Sequence, residues 1–500
     1  MFTRAAGILL HPTSLPGPFG SGDLGPASRQ FLDWLASAGQ QLWQVLPLGP
    51  TGYGYSPYLC YSALAGNPAL ISPELLAEEG WLQESDWADC PVFPSDRVDF
   101  ASVLPYRDQL LRRAYSRFLQ KAASSDRQLF QAFCEQEAHW LDDYALFMAI
   151  KQASQGQPWT EWPEALRQRQ PQALAKARDR WGGEISFQQF LQWQFREQWL
   201  ALREEAQARR ISLIGDIPIY VAHDSADVWA NPQFFALDPE TGAVDQQAGV
   251  PPDYFSETGQ LWGNPVYNWA ALQADGYRWW LQRLQQLLSL VDYIRIDHFR
   301  GLEAFWSVPA GEETAIEGEW VKAPGADLLS TIRQQLGALP ILAEDLGVIT
   351  PEVEDLRDRF ELPGMKILQF AFDSGSGNAY LPHNYWGRRW VVYTGTHDND
   401  TTVGWFLSRN DSDRQAVLDY LGAESGWEIE WKLLRLAWSS TADWAIAPLQ
   451  DVFGLDSSAR MNRPGQATGN WDWRFSADWL TGDRAHRLRR LSQLYGRCFG

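Results

Sequence analysis

Short apolar runs recur along the chain and predict buried strands. They are rich in Leu, Ile and Val and too short for core helices, which is typical of strands covered on both faces. The eight runs are GILL near Gly7, LWQVLPL from Leu42, ISLIGDIPIYV from Ile211, YIRID from Tyr293, PILAEDLG from Pro340, MKILQFAF from Met365, WVVYTGTHD from Trp390 and IAPLQDV from Ile446.

Amphipathic segments between many of these runs predict helices. Pro26 stands where a first helical turn begins, and apolar residues then repeat at helical spacing as far as Ala38. Thr350 before Pro351 is a second helix start, and Trp280 to Leu288 form a core-facing stripe. Eight strands that alternate with helices predict an α/β fold, the (β/α)8 TIM barrel.

The spacing between the predicted strands is uneven in two places. Residues 52–205 separate the second and third strands and contain strongly helical segments, so they predict a mainly helical insertion. Residues 222–275 are rich in Trp, Tyr, Phe, Asn, Pro and Gly, and predict a loop-rich insertion that covers one end of the barrel. We therefore expect a single elaborated barrel domain over residues 1–500.

Composition and charge exclude several classes of partner. Of the residues, 45% are hydrophobic and 21% charged, which is typical of globular proteins. The formal net charge of −20 repels phosphate backbones and anionic lipids, so neither nucleic acid nor a membrane is an expected partner. The four cysteines form no CxxC pair, and no stretch resembles a signal peptide or membrane span. These features favour reduced thiols and a cytoplasmic protein.

Charged residues stand at the ends of four predicted strands. Asp216 lies within the third run, and the fourth ends in Arg295 and Asp297. Acidic residues also end the fifth and seventh runs, at Glu344–Asp345 and at His397–Asp398. One such residue is often a helix cap or a structural partner. Because the active sites of these barrels lie at the carboxyl ends of the strands, four strands with carboxylates there indicate a catalytic centre.

Paired carboxylates without a metal-ligand cluster suggest chemistry on glycosidic bonds. Arg295 lies two residues before Asp297, so both side chains point to the same side of the strand and the cation favours the ionised form of Asp297. Glu344 follows the apolar ILA, where desolvation raises a carboxyl pKa and suits a general acid. The alternative is an ion pair inside the barrel with no catalytic role.

Other motifs are weaker. GSGDLG from Gly20 matches a dinucleotide-binding pattern but follows a Pro-rich turn instead of a strand. His223, His298 and His397 lack the spacing of a metal site. We therefore expect no cofactor and no metal.

The strand-end motifs resemble those of a known family. RIDHFRG from Arg295, LAEDLG from Leu342 and TGTHDNDT from Thr394 are similar to motifs of the α-amylase clan of retaining α-glucan enzymes. More narrowly, the chain resembles the amylomaltases, which are 4-α-glucanotransferases, also called disproportionating enzymes. The stretches that carry this resemblance run from the first strand to the C-terminus: LLHPTSLPGPFGSGDLG, QVLPLGPTGYGYSPY, SALAGNP, GDIPIYVAHDSADVWANP, GVPPDYFSETGQLWGNPVYNW, GMKILQFAF and ARMNRPGQATGNWDWR.

The resemblance implies an activity and a set of site residues. Asp297 would be the nucleophile, Glu344 the general acid/base and Asp398 the transition-state stabiliser. The implied substrate-binding residues are Arg295, His397, Asp216, His298, Tyr58, Ser56, Tyr254, Phe255, Trp262 and Asn462. The implied partners are α-1,4-glucan donors and acceptors that are glucose or maltooligosaccharides; the sequence leaves the oligomeric state open.

One position departs from the family pattern. Where that pattern reads GYGDSPY, this chain has Tyr55 before Ser56, which can alter contacts on the acceptor side. Two alternatives to a transferase stay open at this point. A retaining α-glucan hydrolase would use the same carboxylates, whereas a noncatalytic glucan-binding protein would keep the aromatic residues and lose one or more carboxylates.

Overall fold

Eight parallel strands form the centre of the protein, as the computed structural model shows for residues 3–252, 256–337 and 339–498. Each strand pairs with the next along the chain, except the fifth with the sixth, and the last pairs with the first. We label them β1 to β8: Ala5–Leu9, Leu42–Gln44, Ser212–Pro218, Tyr293–Asp297, Ile341–Ala343, Gly364–Ile367, Trp390–Tyr393 and Trp444–Pro448. The predicted (β/α)8 barrel is confirmed.

Helices surround the barrel and fill the long connections. In the described part of the chain the α-helices are Pro26–Ser37, Pro73–Glu78, Phe100–Lys121, Ser124–Ala153, Glu164–Arg167, Pro171–Ala208, Ala226–Ala230, Trp269–Ala274, Arg278–Leu290, Gly325–Leu336, Pro351–Arg359, Thr402–Ser408, Asp411–Leu421, Ile429–Ser439, Leu449–Phe453 and Gly482–Leu494. None of them is both long and apolar enough to cross a bilayer.

Alternation along each strand divides the core into two layers. Successive side chains of a strand point to opposite faces, so every second residue faces the barrel axis. Ile214, Leu342 and Met365 belong to the inner apolar cluster, whereas Ile294 and Ile296 pack outward against the helices. This alternation turns Asp216, Arg295 and Glu344 inward, above the inner apolar layer.

The connection between β2 and β3 is mainly helical. Its two longest helices, Ser124–Ala153 and Pro171–Ala208, pack against each other. An ion pair between Glu137 and Arg196, at 2.5 Å, joins them. Lys151, at the end of the first of these helices, pairs with Asp224 at 2.5 Å. The helical segment is therefore fixed to the loop that follows β3.

A small antiparallel sheet lies beyond the carboxyl ends of β3 and β4. Two of its strands, Gln246–Val250 and Gln260–Pro265, come from the connection after β3. The other two, Ala304–Pro309 and Glu319–Lys322, follow β4. The segment 222–275 thus contains paired strands and helices as well as loops, and it shares a sheet with the segment after β4.

Candidate active site

Asp216, Arg295 and Asp297 meet because β3 and β4 place inward-facing positions side by side. Asp216 is the register partner of Arg295, and Pro218 is the partner of Asp297. Arg295 Nη1 donates to both carboxylate oxygens of Asp216, at 2.8 and 2.7 Å, and its Nη2 lies 2.8 Å from Asp297 Oδ1. One guanidinium therefore binds two carboxylates at once.

Burial differs between these two carboxylates. The side chain of Asp216 has no exposed surface, whereas that of Asp297 is 29% exposed. Desolvation opposes the charge of Arg295, but Asp216 and Asp297 together raise the pKa of its guanidinium above the ordinary value. Asp297 thus faces the open end of the barrel with a permanent cation behind it.

Glu344 is held by two backbone amides just after β5. Its Oε2 accepts from the N–H of His298 at 2.5 Å, and its Oε1 accepts from the N–H of Leu346 at 2.9 Å. His298 adopts a left-handed conformation, with φ at 53°, that turns its amide toward the carboxylate. Burial, and next the charge of Asp297, raise the pKa of Glu344 well above its ordinary value despite Arg295 and the two amides. Such surroundings favour the protonated form of a carboxyl group and suit a general acid.

A hydrogen-bonded chain runs across the site from Asp216 to Asn462. Tyr58 donates its hydroxyl proton to Asp216 Oδ2 at 2.7 Å and lies 3.2 Å from His397 Nδ1. His397 Nε2 lies 3.4 Å from Asp398 Oδ2, and Asn462 Nδ2 donates to Asp398 Oδ1 at 2.7 Å. The structure therefore connects residues of four separate segments in one network.

Opposing effects set the charges of His397 and Asp398. Burial favours neutral His397, but the carboxylate of Asp398 reverses this and raises the pKa of the imidazole above 6.5. Burial likewise disfavours the Asp398 anion, yet His397, Asn462 and Arg295 lower the pKa of Asp398 below its ordinary value. Each of the two groups therefore favours the charged form of the other.

The remaining predicted residues lie at different distances from this network. The ring of Trp262 contacts the ring of His298 edge-on, with centroids 4.8 Å apart. Burial lowers the pKa of His298 to about 3, so its imidazole is neutral. Ser56 accepts a hydrogen bond from the N–H of Tyr58 within its turn. Tyr254 and Phe255 lie outside the described residues.

Two residues near the network are absent from the sequence prediction. Trp471 lies beside both Tyr58 and His397, with ring centroids 5.6 and 5.9 Å away. Arg460 donates to the backbone carbonyl of Asp398 at 2.6 Å. Both belong to the stretch ARMNRPGQATGNWDWR, which also holds the implied site residue Asn462, so the available signal was their place in this motif.

Carboxylates and histidines of the described residues do not gather as a metal site would require. In residues 3–252, 256–337 and 339–498, no group of three or more His, Cys, Asp or Glu could hold an ion. The charges of the site are instead satisfied by Arg295, by His397 and by backbone amides.

A barrel with carboxylates gathered at the carboxyl ends of its strands defines a class of barrel enzymes that act on small molecules and sugars. Comparisons with known proteins narrow this class. A sequence model of the 4-alpha-glucanotransferase family matches residues 10–480. The 4-alpha-glucanotransferase of Synechocystis sp. is 54% identical over 495 residues, covering 99% of this chain and 98% of the relative. That of Thermus thermophilus is 52% identical, covering 98% of both chains.

Solved structures agree with the sequence relatives. The amylomaltase from Streptococcus agalactiae in complex with acarbose superposes with a TM-score of 0.96 at 37% identity, covering 99% of this chain and 100% of that one. The chain belongs to the 4-alpha-glucanotransferase family. It is an enzyme that transfers α-glucan segments, and the alternative of a hydrolase on the same fold is not favoured.

Proposed function

We propose that Asp297 is the nucleophile and Glu344 the general acid/base of a retaining double displacement. Asp297 attacks C1 of an α-1,4-linked glucosyl unit while the protonated Glu344 gives its proton to the departing 4-oxygen. The C1–O4 bond breaks and a β-glucosyl ester of Asp297 forms. Glu344, now ionised, then takes the proton from the 4-hydroxyl of a second glucan. That oxygen displaces Asp297 from C1 and restores the α configuration.

The two carboxyl groups have the surroundings that these roles need. Asp297 is partly exposed and pairs with Arg295, which favours an ionised nucleophile. Glu344 is buried, and its raised pKa favours a protonated acid before the first step. After Asp297 has formed the ester its charge is lost, so the pKa of Glu344 falls and the released carboxylate is ready to act as a base. The contrast between Asp297, which is paired with Arg295, and the buried Glu344, which is held only by backbone amides, is the observation that carries the proposal.

Asp398 and its partners are proposed to hold the donor sugar. Asp398 is half exposed toward the open end and ionised, so it can accept hydrogen bonds from sugar hydroxyls. His397, Asp216 and Tyr58 support the same sugar from the buried side of the network. Asn462 fixes the second oxygen of Asp398. Ser56 and His298 are assigned to the rim of this subsite.

Transfer requires an acceptor site that favours a sugar over water. We assign this role to aromatic platforms on the segment 222–275, namely Trp262, Tyr254 and Phe255, because aromatic faces stack on sugar rings. The proposed donors are α-1,4-glucans, and the proposed acceptors are glucose and maltooligosaccharides. We also propose a single catalytic domain over residues 1–500, with insertions at 52–205 and 222–275. Free thiols at all four cysteines favour work in the cytoplasm.

The test is incubation with maltotriose while oligosaccharide lengths, free glucose and total reducing ends are followed. Transfer gives a ladder of longer maltooligosaccharides with a constant number of reducing ends. Asp297→Asn should abolish the ladder, since an amide cannot form the glycosyl ester. Glu344→Gln should lower kcat by about 10²–10⁴-fold, because it cannot protonate the leaving oxygen.

Asp292→Asn is the matched control. Asp292 precedes the same strand as Asp297 but lies at its opposite end, where it pairs with Arg203. It should leave the ladder unchanged. A ladder that persists in Asp297→Asn would remove Asp297 from the mechanism, and a rise in reducing ends with the wild-type enzyme would show hydrolysis in place of transfer.

A further inference from the structure

The barrel has one incomplete seam, between β5 and β6. The other seven neighbouring pairs of strands are joined by backbone ladders. Among the described residues, β5 and β6 share no ladder in the sheet order. A single backbone hydrogen bond, from the N–H of Ala343 to the carbonyl of Pro363 at 2.9 Å, crosses between their ends. β5 is thus joined by a ladder to β4 alone, and contacts of another kind join it to β6.

A side chain supplies one of these contacts. Asp345, two residues beyond the end of β5, accepts the backbone N–H of Met365 on β6 through Oδ1 at 2.7 Å. A Cβ added to Gly364 would lie 2.5 Å from Asp345 Oδ2, so only glycine leaves room for this carboxylate. Asp345 thus replaces the missing rung of the ladder.

Arg357 fixes the other oxygen of this carboxylate. Its Nη1 lies 2.5 Å from Asp345 Oδ2, and its Nη2 pairs with Asp358 at 2.9 Å. Both Asp345 and Arg357 are buried, with 7% and 6% exposure. The guanidinium also lies over the ring of Trp390 on β7, 4.6 Å from the centroid. The helix Pro351–Arg359 is thereby locked to the seam, and a buried pair of this kind is costly to break.

The segment that Asp345 anchors is the segment that holds Glu344. The N–H of Leu346, one residue after Asp345, is one of the two donors to the Glu344 carboxylate. Side chains alternate, so Glu344 faces the site while Asp345 faces outward into the seam. A shift of the backbone at Asp345 would move both Glu344 and its donor.

We propose that Asp345, fixed by Arg357, is a positioning residue for the acid/base of the transfer reaction. It holds the backbone from Glu344 to Leu346 so that the Glu344 carboxyl reaches the leaving oxygen of a sugar whose C1 lies at Asp297, and it touches no substrate. This inference rests on the proposed role of Glu344.

A matching arrangement at the other end of the barrel provides the control. Asp292 accepts the N–H of Leu213 on β3 at 2.8 Å and pairs with Arg203 at 2.9 Å, just before β4 begins. As at Asp345, a carboxylate next to one strand binds a backbone amide of the neighbouring strand and an arginine. This arrangement lies at the amino ends of the strands. Asp345→Asn and Asp292→Asn therefore remove charges with the same kinds of partner, although the Asp292 pair is more exposed and lies at the end of the barrel away from the reaction.

The experiment compares two donors for each variant. Maltotriose has a leaving oxygen that must be protonated, whereas α-maltotriosyl fluoride releases fluoride ion, which needs no proton. In the assay with the fluoride donor, added azide takes the glycosyl group from Asp297 without a general base and forms the α-glycosyl azide. Fluoride with azide thus bypasses both tasks of Glu344, while maltotriose requires both.

Asp345→Asn is expected to lower kcat/KM for maltotriose by about 10²-fold, since a displacement near 1 Å at a reacting group costs that much. Fluoride release in the presence of azide should recover to near the wild-type rate, as it should for Glu344→Gln. Asp292→Asn should change kcat/KM for maltotriose and the rate of fluoride release by the same small factor. Arg357→Lys keeps the positive charge but loses the two-pronged guanidinium. It should lower kcat/KM for maltotriose by a smaller factor and again leave fluoride release near the wild-type rate. This variant replaces Asp345→Asn in the test if Asp345→Asn folds poorly.

Two outcomes separate the hypotheses. Equal losses on both donors in Asp345→Asn and Arg357→Lys would mean that the pair only stabilises the fold, and the positioning role would be wrong. Failure of fluoride and azide to restore Glu344→Gln would instead overturn the proposed role of Glu344 itself. Melting temperatures of all variants show whether a loss of rate follows from unfolding.

Discussion

At the scale of single residues, His397 and Asp398 show how a site fixes charge against burial. The side chain of His397 is 4% exposed, and burial alone would keep its imidazole neutral at neutral pH. Asp398, 3.4 Å away, raises its pKa, while Arg295 lowers it and Asp216 raises it. Because the Asp398 carboxylate is also held by Asn462, the pair is fixed on both sides.

Asp398→Asn should therefore lower the pKa of His397, since the negative charge that favours the imidazolium is removed. Titration of the imidazole Cε1–H resonance by NMR measures this shift, with Asp292→Asn as a variant that should leave it unchanged. A folded pKa above the unfolded value near 6.5 stabilises the protein fully below that pH, and this contribution is lost as pH rises through the folded pKa. An unchanged titration in Asp398→Asn would mean that Asp216 sets the charge of His397.

Some of this chemistry was predictable from the sequence and some was not. The period of two along a strand predicted that Arg295 and Asp297 share a face, and they do. The sequence did not predict that Arg295 also binds Asp216, because strand register decides which residues of β3 and β4 face each other. The hydrogen bonds from the amides of His298 and Leu346 to Glu344 were also not predicted, because every residue type except proline carries the same backbone N–H.

At the scale of elements, the GSGDLG segment is explained by packing. A Cβ on Gly22 would lie 2.1 Å from the carbonyl oxygen of Pro12, so glycine permits a close backbone approach there. Asp23 of this segment pairs with Arg107 of the helix Phe100–Lys121 at 2.7 Å, with both side chains buried. The first connection of the barrel and the helical connection after β2 are thus joined by one buried ion pair.

Arg107→Ala should destabilise the protein by roughly 3–5 kcal/mol, because Asp23 would stay buried without its partner. Arg112→Ala on the same helix is the control. Its partners Asp108 and Glu184 are partly exposed, so the expected loss is about 1 kcal/mol or less. Denaturant unfolding of both variants measures the difference. Equal losses would show that the buried pair contributes no more than a surface pair.

Strand positions were predicted better than strand lengths or the second sheet. All eight barrel strands fall within the predicted runs or overlap them, but LWQVLPL contains only the short strand Leu42–Gln44. Apolar residues continue past the strand end because the loops are buried as well. The antiparallel sheet was not predicted, since its strands pair segments that are distant in sequence, and Glu319–Lys322 is largely exposed without an apolar alternation.

At the scale of the whole molecule, the barrel separates stability from chemistry. The carboxylates lie at the carboxyl ends of the strands, whereas the opposite end is closed by arginines that bind backbone carbonyls. Arg497 is fully buried and donates to the carbonyls of Ala5, Trp438, Ser440, Ala442 and Asp443. Arg4 binds several carbonyls of the same region. The two ends of the chain are thereby joined beneath β1 and β8.

Arg497→Ala should therefore lower thermal stability without changing the reaction. Its removal takes away hydrogen bonds from a charged donor to five backbone carbonyls, and Arg4 stays as a side-chain donor to those of Trp438, Ser440 and Ala442. A hydrogen bond to a charged group contributes about 1.5–3 kcal/mol, so the loss of several destabilises the fold. The melting temperature at a fixed scan rate should fall clearly, whereas kcat for maltotriose per folded molecule, measured well below that temperature, should stay at the wild-type value. Arg490→Ala, an exposed position on the helix Gly482–Leu494, should change neither quantity. A loss of kcat in folded Arg497→Ala would show that strain at the amino ends of the strands reaches the carboxylates, and that the two ends of this barrel are not independent.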